Sequence, residues 1–441
     1  MGTLGTTGHT GTTGARHTVG THVLDELAAR GLLAHTTDID ALRAQLDSGA
    51  TTYYVGFDPT APSLHFGNLV QLLTARRLQE AGHSPLILVG GATGLIGDPK
   101  DTGERTLNSK DVVGAWVEKV RSQVERYVDL DGPNAGRVVN NLDWTESLGA
   151  IDFLRDIGKH FPVNRMLGRE VVRTRLESGI SYTEFSYVLL QAMDYLELFR
   201  RYNCRIQTGG SDQWGNITAG VELIRRATGA QVHALATPLV TKADGTKYGK
   251  TEAGAVWLSS ELTSPYAFYQ FWLNAEDAKV GEYLRIFSFR DLAEIDDLVA
   301  QSEKALAARI AQRALAADVT TLVHGAEETR AAEQAAQALF GRAELADLPE
   351  SVLAAALAEA PHARLEAGDE LPTVVDAMVA TGLVGSRSAA RRTVAEGGAY
   401  VNNVRISDAD SPLPDSALLH GRWLVIRKGK RSVAGAEVAR A

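Results

Sequence analysis

The chain has 441 residues, long enough for two or three domains, and its 44% hydrophobic and 22% charged content is ordinary for a soluble globular protein. No apolar run approaches the ~18–20 residues that cross a bilayer, and a single cysteine, Cys204, excludes an intrachain disulfide and suits a reducing cytoplasm. The formal net charge of −9 would argue against a nucleic-acid partner, but residues 324–370 carry ten acidic and three basic side chains whereas residues 371–432 carry nine basic and five acidic, so a basic footprint is expected at the C-terminal end.

Residues 1–20 are rich in Gly and Thr and lack the apolar core of ~7–15 residues that marks a secretory signal. They hold too little apolar surface to offset the entropy of ordering, so a disordered extension is expected, a start placed too far upstream being an equal reading. Over residues 21–245 strand-like runs alternate with helical ones. T-T-Y-Y-V-G-F (51–57), S-P-L-I-L-V (84–89), G-R-V-V-N (136–140) and C-R-I-Q-T (204–208) are rich in β-formers. Leu69, Leu72, Leu73 and Leu78, and again Leu189, Leu190, Met193 and Leu196, show helical spacing. The alternation predicts an α/β domain with a doubly wound, Rossmann-like parallel sheet. Cys204, in a strand-like run, is expected to be a buried core residue rather than a reactive thiol. Residues 246–342 read as a second, all-α domain, continuously helical from about Leu258 to Phe340. Residues 343–370 read as an acidic linker with a short helix. Residues 371–437 read as a small α+β module with helices at 372–380 and 387–396 and the strand-like A-Y-V-N-N-V-R-I.

Five segments carry chemistry. In Y-Y-V-G-F-D-P-T-A-P-S-L-H-F-G-N-L (53–69) a strand leads through a loop to a helix opening near His65. A helix N-terminus offers unpaired N–H groups and a partial positive charge, which suit a phosphate; His65 adds a donor, and Gly67 leaves room for a flat base. A histidine that merely caps the helix would account for the same residues. G-G-A-T-G-L-I-G-D-P-K (90–100) follows a buried strand, where such sheets bind ligands, and Asp98 could hold an ammonium group there. Tyr187, Gln191 and Asp194 share one helix face at i, i+4 and i+7, which suits a polar ligand, with a solvated face as the alternative. In Q-T-G-G-S-D-Q-W-G-N (207–216), Gly209 and Gly210 allow close approach of a ribose and Asp212 can accept from its hydroxyls. T-K-A-D-G-T-K-Y-G-K-T (241–251) puts Lys247 and Lys250 on a glycine-containing loop, able to neutralise a transferring phosphate; alone it would read as a solvated basic turn. Together and in this order, the five point to an ATP-using enzyme in which His65 to Asn68 and Lys247 to Thr251 grip the triphosphate.

On these motifs the chain resembles the bacterial-type tyrosyl-tRNA synthetases, a family of class I aminoacyl-tRNA synthetases, from about residue 21 to 435. H-F-G-N stands where class I enzymes carry their histidine–glycine signature and K-Y-G-K-T where they carry the lysine loop, 247–251. Y-x-G-F-D-P-T, G-D-P, Y-x-x-L-Q-A-x-D and G-G-S-D-Q-W are specific to the tyrosine branch. The resemblance implies activation of L-tyrosine with ATP to tyrosyl-adenylate and pyrophosphate, then transfer of the tyrosyl group to the 3′-terminal ribose of tRNA(Tyr). It implies a cytoplasmic homodimer with no membrane partner and no tightly bound cofactor, Mg²⁺ accompanying ATP and no metal held by protein ligands. It assigns residues 21–245 to catalysis, 246–342 to an anticodon-side helical domain that begins with the lysine loop, and 371–437 to RNA binding.

Residue by residue, the resemblance implies that Tyr54 and Asp194 hydrogen-bond the phenolic hydroxyl. Asp98, Tyr187 and Gln191 would hold the α-ammonium group, with Gln213 near the carboxylate. Asp212 and Gly210 would contact the ribose, with Gly67 and Asn68 also on ATP, while Thr60, His65, Lys247, Lys250 and Thr251 would stabilise the phosphates. Three positions depart from the family pattern: Asn68 where a histidine is frequent, Val55 where some members have a cysteine near the ribose, and Gln71 in place of a smaller residue. Tryptophanyl-tRNA synthetases are the nearest rival, and Tyr54 with Asp194 suits a phenol better than an indole, whose N–H only donates.

Overall fold

The computed structural model describes residues 21–99, 107–251, 254–340, 344–429 and 432–440; the Gly/Thr-rich start at 1–20 lies outside the described residues, as do the side chains of Lys250 and Thr251. The chain forms two compact units, one running through Ser259 and including Gly281–Asp297, the other comprising Ser260–Val280 and Leu298–Ala441.

The first unit is built on a six-stranded sheet of β1 (His35–Thr36), β2 (Thr52–Phe57), β3 (Ser84–Val89), β4 (Arg137–Asn140), β5 (Ile206–Gly210) and β6 (His233–Thr237), in the order β1-β6-β5-β2-β3-β4. Strands β2 to β6 are parallel, with Tyr54 opposite both Leu86 and Gln207, and β1 joins the β6 edge antiparallel. This is the doubly wound α/β arrangement that the alternation of strands and helices predicts. Successive side chains of β2 go to opposite faces, as strand geometry demands. The Tyr53 hydroxyl donates to the Ala75 carbonyl in the helix Phe66–Glu80. Tyr54 instead joins a core with Leu86, Leu88, residues 188–198 of the helix Tyr182–Tyr202, and Leu223 and Ile224 of the helix Trp214–Thr228. Cys204 is fully buried in the same core, and burial pushes its thiol far above the ordinary range, so it is inert packing. From β2 the chain winds outward through β3 and β4, then returns to the other side of β2 as β5. The carboxyl ends of β2 and β5 therefore flank a topological switch point, where open α/β sheets bind ligands. A two-stranded ribbon, β7 (Lys250–Thr251) and β8 (Gly254–Ala255), follows the sheet.

The helical run from Leu258 does not stay together. Gly281–Asp297 belongs to the first unit because two buried arginines reach into it: Arg30 donates to the Arg285 and Arg290 carbonyls, and Arg77 to that of Ser288 at 2.6 Å. Helical periodicity marks an apolar stripe but not the surface it packs on.

In the second unit the helices Pro265–Leu273, Ile310–His324 and Ala326–Leu339 pack on one another. The sheet there comprises β9 (His362–Ala367), β10 (Ala399–Val401), β11 (Val404–Arg405), β12 (Trp423–Lys428) and β13 (Ser432–Arg440), in the order β11-β10-β12-β13-β9. The stretch read as an acidic linker thus supplies an edge strand, β9, paired parallel with β13 from Gly435↔His362 to Arg440↔Ala367. Its H-A-R-L-E-A sequence has no strong strand signal, because half its side chains face solvent and its partner lies some seventy residues on. Helices Val374–Ala380 and Arg387–Ala395 cover this sheet; Thr373 caps the first through a reciprocal bond with Asp376, which sets its start at Val374 rather than 372. Among the described residues no helix is long and apolar enough to cross a membrane.

Candidate active site

A cavity of about 500 Å³ lies at the switch point. It is lined by the carboxyl ends of β2, β5 and β6, the start of the helix Phe66–Glu80, one face of the helix Tyr182–Tyr202 and the segment around Lys247. Of the residues singled out in the sequence, Tyr54, Thr60, His65, Gly67, Asn68, Asp98, Tyr187, Gln191, Asp194, Gly210, Asp212, Gln213 and Lys247 all line it. Lys250 and Thr251 fall in β7, and their side chains lie outside the described residues.

One end of the cavity holds Asp194. Its Oδ2 accepts from Asn141 Nδ2 and its Oδ1 from Trp144 Nε1, each at 2.9 Å. Burial raises its pKa to about 7, although these two donors pull it down. Each carboxylate oxygen has two acceptor sites, so one site on each oxygen remains for a further donor. The Tyr54 hydroxyl is buried, feels the Asp194 charge and has no hydrogen-bond partner within the protein. An orphaned buried hydroxyl costs about 1–3 kcal/mol, which a ligand carrying its own hydroxyl can relieve.

Next to it lies a polar chain. The Tyr187 hydroxyl and the Thr93 hydroxyl donate to the two oxygens of Asp58, each at 2.6 Å, and Asn141 Nδ2 also donates to Thr93 Oγ1 at 3.0 Å. Gly90 is needed here because a Cβ would strike the Asp58 carboxylate. Asp98 accepts from Gln213 Nε2 at 2.8 Å and from Asn216 Nδ2 at 3.2 Å. The Gln213 side chain is therefore engaged with Asp98 rather than held open towards a carboxylate. Asn216 in turn accepts from Arg169, whose pKa is lowered by burial and partly restored by Asp98.

Another part of the cavity wall is formed where the helix Phe66–Glu80 begins. His65 is the N-cap of the helix Phe66–Glu80: its Nδ1 accepts from the Gly67 N–H at 3.0 Å, while its own N–H donates to Asn68 Oδ1 at 3.1 Å. Asn68 thus completes a capping box. Because Nδ1 is the acceptor, Nε2 carries the proton of the neutral ring. A Cβ on Gly67 would sit 2.8 Å from His65 Cε1, so this glycine preserves the cap. His65 is thus the cap of this helix and also part of the cavity wall. A Cβ on Gly210 would meet Asp212 Oδ1 at 2.6 Å. The Lys247 loop turns at Gly245 (φ +82°), where Asp244 accepts from the Thr246 N–H and hydroxyl.

Asp58, Asn141, Trp144, Gln207 and Thr208 were not singled out in the sequence. Buried and orphaned, Gln207 Oε1 and Thr208 Oγ1 lie on cavity-lining residues. Their position at the end of β5, directly before Gly209, was a usable signal. Asn141 and Trp144 carried none, because they act through Asp194 from across the sheet.

Comparison with known proteins bears on what this cavity serves. The profile of the family described as tRNA synthetases class I (W and Y) matches residues 46–341, and that of the tyrosine–tRNA ligase SYY-like C-terminal domain matches residues 353–434. The chain is 61% identical to a tyrosine–tRNA ligase of Streptomyces coelicolor over 421 residues, covering 95% of this chain and 99% of that protein. With the tyrosine–tRNA ligase of Cutibacterium acnes it shares 61% identity over 411 residues, covering 93% and 98%. Among solved structures it is similar to a C-terminally truncated mitochondrial tyrosyl-tRNA synthetase of Aspergillus nidulans, with a TM-score of 0.66 and 28% identity over 72% of this chain and 94% of that one.

Proposed function

The chain belongs to the class I tRNA synthetases of the tryptophan and tyrosine group, and from that membership we propose how its cavity carries out the reaction. The activity is tyrosine–tRNA ligation: tyrosine is activated with ATP and the tyrosyl group is charged onto tRNA. The observation that carries the assignment of the cavity is the buried, unpartnered Tyr54 hydroxyl in the same pocket wall as Asp194. In our reading the substrate phenol donates to Asp194 and accepts from Tyr54, which satisfies both. Asp98, Tyr187 and Gln191 receive the α-ammonium group, with Asp58 holding Tyr187 in place. Gln213 reaches the substrate carboxylate by leaving Asp98. A phenylalanine would leave Tyr54 and Asp194 without their partner, the physical basis of the discrimination on the order of 10⁵-fold attained by tyrosyl enzymes in general.

The substrate carboxylate is ionised at neutral pH and needs no base. It attacks the α-phosphorus, a carboxylate O–P bond forms, and the bond to the β-phosphate breaks with its electron pair leaving on pyrophosphate. The protein's part is position and charge: His65 Nε2–H, Thr60 and Lys247 serve the phosphates, Lys250 and Thr251 are assigned to them on the family motif alone, and Gly67, Asn68, Gly210 and Asp212 serve the nucleoside. Mg²⁺ enters with ATP as part of the substrate, on phosphate oxygens of the kind this ion prefers. A tRNA ribose hydroxyl then attacks the acyl carbon and AMP departs. ATP and tRNA as substrates accord with a cytoplasmic setting. A homodimer is supported by the exposed apolar side chains Ile151, Leu154, Val163 and Leu176, which lie 48–74% open in this chain. Tyrosine-over-phenylalanine selectivity of Asp194→Ala in pyrophosphate exchange tests the assignment: selectivity should collapse, and unchanged selectivity would refute it.

A further inference from the structure

Arg77 lies near the end of the helix Phe66–Glu80, whose start lines the cavity, and it is fully buried. Its Nη2 donates to the Ser288 carbonyl at 2.6 Å and to that of Ile286 at 3.4 Å. Arg30, also buried, donates through Nη1 to the Arg285 and Ser288 carbonyls, each at 3.2 Å, and through Nη2 to that of Arg290 at 3.0 Å. These acceptors belong to the last turn of the helix Val280–Phe287 and to the chain directly after it. The last carbonyls of a helix have no partner within it, and its C-terminal end carries partial negative charge. The two guanidinium groups supply both the donors and the opposite charge. Phe289 completes the seat, with its ring centroid 4.2 Å from the Arg77 guanidinium carbon.

Burying two guanidinium groups side by side is unfavourable. Burial and the Arg30 charge lower the Arg77 pKa to about 9, with the Glu26 and Glu80 carboxylates opposing them. Glu26 lies against both arginines, its Oε1 2.9 Å from Arg30 Nε and 3.6 Å from Arg77 Nη1. Apolar side chains of similar volume could join the helices without that penalty. They could not fix where the second helix stands along its axis, because only donors to its carbonyls do that. On the helix so fixed, Tyr283 stacks on Tyr248, the residue after Lys247, and its hydroxyl donates to the Thr241 carbonyl. A slide of Tyr283 would therefore carry the Lys247 loop with it. We propose that Arg77, together with Arg30, is a positioning residue for tyrosine activation: it clasps the end of the helix Val280–Phe287 and so sets Tyr283, the seat of the Lys247 loop. The proposal rests on Lys247 serving the phosphates of ATP.

The test measures single-turnover tyrosyl-adenylate formation and the KM for tyrosine in the full chain carrying Arg77→Met, Arg77→Lys, Tyr283→Leu, or Arg77→Met with Tyr283→Leu. Arg77→Met should slow adenylate formation at least about threefold with the KM for tyrosine unchanged, because small misplacements of charge-stabilising groups are felt in the rate. Arg77→Lys should recover part of that rate but not all, since an ammonium group still donates to a carbonyl yet lacks the planar fork. In the Tyr283→Leu background, Arg77→Met should slow the reaction by less than about twofold more, because the seat is already gone. If Arg77→Met folds poorly, Arg77→Lys with and without Tyr283→Leu carries the same comparison. The proposal is overturned by an unchanged rate in the folded variant, by a loss that multiplies with that of Tyr283→Leu, or by a rise in the KM for tyrosine as large as the fall in rate. Lys247→Ala separates the two readings. Normal adenylate formation there removes the phosphate role of the loop and the proposal with it, whereas a slow Lys247→Ala beside an unaffected Arg77→Met removes Arg77 alone.

Discussion

Tyr248, one residue beyond Lys247 in the glycine-containing loop, stacks on Tyr283 with ring centroids 4.4 Å apart and planes inclined by 23°. The Tyr283 hydroxyl donates to the Thr241 carbonyl at 2.9 Å, at the loop's other end. Tyr248 also meets Phe66 edge-on at 5.3 Å, and Phe66 directly follows His65. Rings thus join the two segments that carry the proposed phosphate contacts. Tyr283→Leu should lower kcat for tyrosine activation at least about fivefold, the lower bound for loss of one aromatic pair and one hydrogen bond, with the KM for tyrosine unchanged. Tyr283→Phe keeps the stack and should retain most of the rate. Single-turnover adenylate formation distinguishes these outcomes, and equal losses in both variants would count against a role for the stack.

Gly249 occupies a left-handed conformation at φ +90°, and a Cβ there would lie within the Phe66 ring. Gly249→Ala must therefore displace the loop from Phe66. Adenylate formation should fall by at least about tenfold, since misplaced charge stabilisation is expensive. A rate near that of the unsubstituted chain would show that the loop does not need this seat.

How much was legible beforehand depended on locality. Each motif that lines the cavity is a contiguous run at a strand end, on one helix face or in a loop, so its residue types and spacing could be read without knowing the fold. Asn141 and Trp144 were silent because their work is done on Asp194, some fifty residues on in the chain. The assignment of Gly281–Asp297 to the first unit depended on buried guanidinium groups of Arg30 and Arg77, and on carbonyl acceptors that no side-chain pattern displays. Strand β9 was hidden for the related reason that its parallel partner is remote and one of its faces is wet.

Asp194 gives the cavity a pH dependence. Its pKa is raised by burial to about 7, so near neutrality the vacant site is partly protonated. A protonated carboxyl is a poorer acceptor for the substrate hydroxyl. The KM for tyrosine should therefore rise as pH falls below about 7, while the inhibition constant of phenylalanine stays flat. The sign for stability is opposite. With a folded pKa above the unfolded value of 3.8, the folded state holds an extra proton between roughly pH 4 and 7. This group's contribution is full below that window and is lost as pH rises through about 7. Asp194→Asn should abolish both trends; their persistence in that variant would assign them elsewhere.

On the helix Arg387–Ala395, Arg387 and Arg391 are paired with Asp376 and Asp410 at 2.6 and 2.7 Å, whereas Arg392 is exposed. Arg392→Glu should raise the KM for tRNA several-fold and flatten its salt dependence, leaving tyrosine-dependent pyrophosphate exchange intact. Loss of exchange in step with charging would assign the helix a structural role instead.

The central claim is that one cavity joins a phenol-recognising end, at Tyr54 and Asp194, to a triphosphate end at His65 and Lys247. Amino-acid-dependent ATP–pyrophosphate exchange with the purified full chain tests it most directly. Tyrosine should drive exchange, and phenylalanine and tryptophan at equal concentration should not. Exchange driven by tryptophan, or proceeding with no amino acid present, would contradict the account.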